Sequence, residues 1–153
     1  MSPRLNPLSV QTNLIQLFIE FSNQVTAAGL EKSLTELVKI RASQINGCAI
    51  CLHMHTRDAR KEGESEERLF MLDAWRESPL YSARERAALA WTEALTLLAT
   101  SRAPDDVYAL VKAEFSDAES IALTMLINVI NGWNRLGVGY RRSHPGAVAS
   151  TAA

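Results

Sequence analysis

From about Asn13 onward the apolar residues return every three or four positions, the period of an amphipathic helix, and strand-like alternation is nearly absent. Leu14, Leu17, Phe18, Phe21 and Val25 share one helical face, with Asn13 placed to cap its start and Gly29 to stop it. Leu34, Leu37, Val38 and Ile45 mark the next helix. Ser33 followed by Glu36 reads there as a capping box, and Asn46-Gly47 as the end. Further helices are predicted from near Cys48 to about Lys61, stopped by Gly63, and from Glu66 to Trp75, closed by Ser78-Pro79. Ser82 with Glu85 forms a second capping-box pattern and opens a helix carrying Ala88, Trp91, Leu95 and Leu98. Pro104, at a first helical position, starts one through Val107, Leu110 and Val111. Asp117 is placed to cap the last helix, where Ile121, Met125, Ile127, Val129, Ile130 and Trp133 leave most sides apolar; such a helix belongs at the centre or in an interface. The fold class is all-α, about seven helices in one domain spanning 1–153. The core runs over about 13–140, and residues 1–12 and 143–153 are loosely ordered.

Composition adds exclusions. At 153 residues the chain can bury a substantial core. A formal net charge of −1 gives no electrostatic footprint for nucleic acid or an anionic membrane. No apolar run approaches the roughly 20 residues of a bilayer span. The segment Leu14–Ile19 is short, carries Gln16 and runs into Glu20, unlike a signal peptide, so a reducing cytoplasm is the expected location. In that compartment the only two cysteines, spaced C-x-x-C at Cys48 and Cys51, point to redox or metal chemistry.

Those cysteines sit in the stretch that carries the chemistry. Cys48, Cys51 and His55 stand at i, i+3 and i+7, and at roughly 100° per residue they fall on one stripe, whereas His53 points elsewhere. A helix start near Cys48 puts both sulfurs in the first turn, where free N–H groups and the helix dipole favour a thiolate. The spacing allows a disulfide within the turn and hence a dithiol–disulfide cycle. Asn46-Gly47 joins two antiparallel helices, so Glu36, ten residues before Asn46, and His55, eight after Gly47, lie at similar depth. A line Glu36–His55–Cys51 follows, with the carboxylate orienting the imidazole and the imidazole handling the thiol proton.

Plainer readings stand beside it. Glu36 can serve the Ser33 capping box, and buried cysteines can be inert small hydrophobes. His53 reads as a solvated or interface residue, His144 as solvated, and Trp75, Trp91 and Trp133 as core. Cys48, Cys51 and one histidine would offer only three zinc ligands, with no second pair elsewhere, so no metal site is assigned.

Glu36, eleven residues, Cys48-x-x-Cys51, three residues, His55 resembles the core motif of the AhpD-like alkylhydroperoxidase family, within the carboxymuconolactone decarboxylase superfamily. Arg41 through Ala49, Met54 through Arg60, Glu85 through Ala94 and Ile130 through Arg135 look like its small single-domain branch. The resemblance covers roughly 13–140. It implies an all-α fold built around the hairpin and assembly as a homo-oligomer: dimer, trimer or trimer-of-dimers hexamer. It implies Cys51 as the peroxidatic nucleophile, passing through a sulfenic acid, Cys48 as the resolving cysteine, and His55 with Glu36 as proton relay. No cofactor is bound; an external dithiol, lipoyl-like in the best-known members and supplied by a thiol reductant protein or a small dithiol, restores the thiols. Members that work with a lipoylated partner often carry a histidine before the second cysteine. Here that position is Ile50, which leaves the relay one acid–base group short and the local surface apolar. The superfamily's decarboxylase activity does not use a C-x-x-C pair, and the cysteines argue against it. The expected function is a thiol-dependent peroxidase reducing organic hydroperoxides in antioxidant defence. The alternatives are a redox-responsive regulatory module or a general thiol–disulfide oxidoreductase.

Overall fold

Two helices organise the molecule: α3 (Lys32–Asn46) and the 23-residue α9 (Asp117–Gly139), which pack against each other. The computed structural model describes residues 2–144. In chain order the other elements are α1 (Pro7–Val10), α2 (Thr12–Thr26), α4 (Ala49–Lys61), α5 (Glu66–Met71), a 3-10 turn (Leu72–Ala74), α6 (Ala83–Thr96), α7 (Leu98–Ser101) and α8 (Asp105–Glu114). No strand occurs among the described residues, and none of their helices is long and apolar enough to cross a membrane.

Helices α3 and α6 each divide their apolar residues between two cores. Leu34 and Val38 of α3 join Ala87 and Ala88 of α6 in a cluster closed by Val111, Leu123, Leu126 and Ile127. Leu37 and Ile40 join Leu89 and Ala90 in a second cluster, with Leu69, Leu72 and Trp75. The alanines on α6 let α3 approach closely, so both faces of α3 are dry. Each fully buried leucine or isoleucine here contributes about 1.5–3 kcal/mol through burial. As its apolar breadth predicted, α9 is central: Leu123, Leu126, Ile127 and Ile130 are all at most 1% exposed.

The all-α expectation holds, and the differences lie at element ends. Among the described residues nine α-helices replace about seven, because the lead-in contains α1, capped by Asn6, and Leu97 breaks α7 away from α6. The lead-in is also tied down, with Arg4 donating to the carbonyls of Gly139 and Tyr140. Ser82 and Glu85 form the predicted capping box. Ser33 and Glu36 do not: α3 starts two residues earlier, with Glu31 at the cap, and the Glu36 carboxylate takes charged donors instead. With Lys39 the carboxylate gains an ion pair as well as a hydrogen bond, which a neutral backbone N–H does not offer. The last helix is capped by Ser116 with Glu119, one residue ahead of Asp117, which pairs with Lys112. Pro104 is the cap of α8 rather than its first residue. Of the tail expected to be loose, 143–153, residues 145–153 lie outside the described residues.

A cluster of amides joins the α3–α4 turn to α9. Asn46 Nδ2 donates to Asn131 Oδ1 and to Asn134 Oδ1, both at 2.9 Å. Asn134 Nδ2 donates to Ser43 Oγ (3.0 Å), and Asn131 Nδ2 to Thr96 Oγ1 (3.0 Å) and the Ile127 carbonyl (2.9 Å). Among the described residues no buried side-chain nitrogen or oxygen lacks a partner, so this polar knot carries no desolvation penalty of an unpaired group.

Candidate active site

The site begins at a turn that only a left-handed residue can make. Gly47 has φ 64°, and its N–H and that of Cys48 close back on the Gln44 and Ser43 carbonyls (3.2 and 3.0 Å). The chain therefore reverses abruptly, and Cys48 becomes the cap of α4 in extended conformation. The first intrahelical bond comes from Leu52 N–H to the Cys48 carbonyl (2.9 Å), leaving the amides of Ala49, Ile50 and Cys51 at the positive end of the helix. Cys51 sits in this first turn. The two cysteines are joined as a disulfide with 5.3 Å between Cα atoms, and both are covered: Cys48 is 1% and Cys51 7% exposed.

One turn further along α4, His55 meets Glu36 of α3. Its Nδ1 lies 2.9 Å from Glu36 Oε2, and Lys39 Nζ donates to the other carboxylate oxygen at 2.8 Å. Burial alone would raise the Glu36 pKa. The His55 hydrogen bond and charge, followed by those of Lys39, outweigh it and hold the carboxyl below its ordinary value. An ionised Glu36 can only accept, so Nδ1 of His55 carries the proton and Nε2 is left as the basic nitrogen when the ring is neutral.

Two cavities flank the disulfide. One, of about 290 Å³, is lined by Cys51, His55, Ile50, Met54, Trp133 and Arg142, with Leu8 and Ile19 at its edge. The other, of about 410 Å³, lies against Cys48 and is bounded by Gly47, Ile50, Gly137 and Arg142. Ile50 and Arg142 border both. Gly137 of α9 makes room for the sulfurs: a Cβ there would stand 2.7 Å from Cys48 Sγ and 3.2 Å from Ile50.

The structure thus brings Cys48 and Cys51 into one bond, Glu36 and His55 into one hydrogen bond, and Cys51 and His55 to one cavity. His53 lines neither cavity; it stacks on the His144 ring (centroids 4.8 Å apart, planes 13° apart) beside Arg57. His144 is therefore a ring partner, beyond the solvated role read for it. Trp75 is buried, as expected of a core residue, and Trp91 is partly buried; Trp133 also packs, with Phe18 at 4.6 Å, yet opens onto the Cys51 cavity. Among the described residues no cluster of three or more His, Cys, Asp or Glu side chains could hold a metal ion. Sequence reasoning missed Lys39, Gly137 and Arg142. Lys39 was open to discovery, standing at i+3 from Glu36 on the same helix face. The other two become neighbours of the cysteines only through packing of α9.

An all-α scaffold that holds a C-x-x-C pair at the mouth of a helical hairpin, with a Glu–His pair one turn behind, defines the class of protein: an AhpD-like domain. The chain belongs to the carboxymuconolactone decarboxylase family, whose model matches residues 13–94. It is 38% identical over 138 residues to the uncharacterized protein YdfG of Bacillus subtilis, covering 90% of this chain and 94% of that one. A crystal structure from Agrobacterium tumefaciens, of a protein of unknown function offered as the antioxidant defence protein AhpD, superposes with a TM-score of 0.93 at 40% identity, over 95% of this chain and all of that one. The debrominase Bmp8 shares the fold alone, with a TM-score of 0.79 at 17% identity over 87% of this chain and 72% of its own.

Proposed function

We propose that this protein is a thiol-dependent reductase of organic hydroperoxides. The observation that carries the reading is the Glu36–His55 hydrogen bond set behind a cavity that His55 shares with Cys51 of the redox-active pair. In the reduced form, His55 takes the Cys51 proton and the α4 N-terminus stabilises the thiolate. The sulfur attacks the terminal oxygen of ROOH and the O–O bond breaks. RO⁻ leaves and is protonated to ROH, and Cys51 becomes a sulfenic acid. Cys48 then attacks Cys51 Sγ, the S–S bond forms, and hydroxide departs as water with a proton from the relay. An external dithiol reduces the disulfide, so the sum is ROOH plus two thiols giving ROH, water and a disulfide. Glu36 orients the ring and stabilises its charged form, and Lys39 keeps Glu36 ionised. The reading includes a reducing cellular compartment, a single domain, and assembly of identical copies, for which the exposed stripe Leu14, Leu17 and Phe21 of α2 supplies an apolar surface.

The test is turnover of cumene hydroperoxide with a dithiol reductant. Cys51→Ser is expected to lower it on the order of a thousandfold or more, to background. Cys48→Ser is expected to stop turnover after one equivalent of peroxide, leaving a sulfenic acid that dimedone traps. Unchanged turnover in Cys51→Ser overturns the assignment.

A second reading rests on the apolar rim of the site, where Met54 (49% exposed) and Val138 (46%) border the two cavities. In it the dithiol–disulfide change alters partner binding at that rim, with little turnover. Identical oligomeric state and identical partner binding for the two redox forms would exclude it.

A further inference from the structure

The cavity beside Cys51 is lined by apolar residues except for His55 and one arginine. Ile19, Ile50, Met54 and Trp133 supply the walls, and Arg142 closes one side. No carboxylate residue lines this cavity or its neighbour, while Arg141 joins Arg142 in the lining of the neighbour. Partly buried arginines elsewhere in the molecule are satisfied: Arg41 by Glu93, Arg68 by Glu85, Arg84 by Glu119, and Arg86 by the carbonyls of Trp75, Arg76 and Ser78. Arg142 is also partly buried, yet among the described residues its side chain makes no ion pair or hydrogen bond. A cation taken partly out of water without a counter-ion is costly, and an anionic ligand relieves that cost.

Its position is built rather than incidental. Arg141 adopts a left-handed conformation (φ 52°) at the end of α9, and the Arg142 N–H closes on the Gly137 carbonyl at 2.9 Å. This is a six-to-one cap of the Schellman type. A side chain other than glycine or asparagine at such a position carries a steric cost. The cap pins Arg142 to the very turn of α9 whose Gly137 lies against Cys48 Sγ. The backbone of Arg142 is therefore held beside the cysteine pair by the cap, and from there the residue lines both cavities.

We infer that Arg142 is a specificity-determining residue that binds the anionic group of an amphipathic ligand whose apolar body fills the cavity beside Cys51. The ligand class is a small organic hydroperoxide bearing one carboxylate. The carboxylate accepts from the guanidinium, the hydrocarbon lies against Ile19, Met54 and Trp133, and the O–O group faces Cys51. The redox step is the one written above; the carboxylate is a spectator that positions the molecule. The hydroperoxide part rests on the proposed function, whereas the anion part does not.

The experiment compares cumene hydroperoxide with its para-carboxylate analogue on the full-length protein and on Arg142→Gln. The wild type is expected to show at least a tenfold higher kcat/KM for the carboxylate, carried by KM, and the ratio is expected to fall to near one in Arg142→Gln. A wild-type ratio near one, or a ratio that survives the substitution, overturns the inference. A second arm needs no turnover: binding of 4-isopropylbenzoate, followed by tryptophan fluorescence or NMR. At least tenfold tighter binding to the wild type than to Arg142→Gln supports the inference, and equal binding overturns it. Where hydroperoxides turn over, the ratio decides. Where none does, the hydroperoxide reading falls by itself and the binding arm decides the role of Arg142.

Discussion

Glu36 and Glu93 look alike until their partners are compared. Both side chains are mostly buried, 13% and 18% exposed, and both carboxyls are held below their ordinary value although burial pushes each upward. Glu93 takes the Trp75 indole (2.8 Å) and Arg41 (2.9 Å) on one oxygen and Arg76 (2.7 Å) on the other. None of these donors changes its protonation near neutral pH, so the cluster is a clamp between α6, α3 and the turn after α5. Glu36 takes Lys39 and His55, and an imidazole can gain or lose a proton in that range. The difference lies in the second partner and in where it looks: His55 opens onto the cavity of Cys51, whereas Arg41 bridges to Asp73 on the surface. A depressed carboxyl is therefore no mark of a functional group by itself; the partner it serves decides.

The comparison can be broken most directly at Glu36. Glu36→Gln is expected to lower kcat/KM for hydroperoxide about a hundredfold, the range of a lost acid–base contribution, while the protein stays folded. An equal loss in Glu93→Gln would erase the distinction. Glu93→Gln is instead expected to cost about 1–3 kcal/mol of stability, because Arg41 and Arg76 lose a charged acceptor, with activity per folded molecule kept. Denaturant melts and specific activity measured on one preparation separate the two.

Acid sharpens the same contrast. Each carboxyl is depressed from 4.5, so each contributes stability that is present above that value and is lost as pH falls through the lower folded value. Melting temperature measured from pH 6 to pH 3 should fall for the wild type and fall less for either variant. The smallest effect is expected at Gly137→Ala. The added Cβ presses on Cys48 Sγ, which cannot rotate away while bonded but can as a free thiol. The substitution should destabilise the oxidised protein by about 1 kcal/mol more than the reduced one, read as the gap between melts with and without reductant.

Much of this arrangement was legible along the chain because it is local. Helical phase alone put Cys48, Cys51 and His55 on one stripe and turned His53 away. The short turn at Asn46-Gly47 then fixed the depth at which Glu36 meets His55. The Ser33–Glu36 capping box was a local signal that lost, since a carboxylate near an imidazole and an ammonium has better donors than a backbone amide. The breaks at Leu97 and Leu72 leave no mark in the hydrophobic periodicity. Gly137 and Arg142 lie more than eighty residues from the cysteines, and only the packing of α9 against α4 makes them neighbours. The place of Ile50 is of the same kind: it borders both cavities, which is visible only when both exist.

The amide knot on α9 has a consequence for insertions and deletions. Asn131, Asn134 and Gly137 recur at steps of three, and each must face the α3–α4 turn: two to receive Asn46, the third to clear the sulfurs. One residue gained or lost between them would rotate everything beyond it by roughly 100°. The amides would then lose their donor, a side chain would replace the gap at Cys48, and the cap that holds Arg142 would swing off the site. Surface loops absorb added length at little thermodynamic cost. In this stretch of α9 the spacing itself is fixed, so length variation should be confined to the loops between helices.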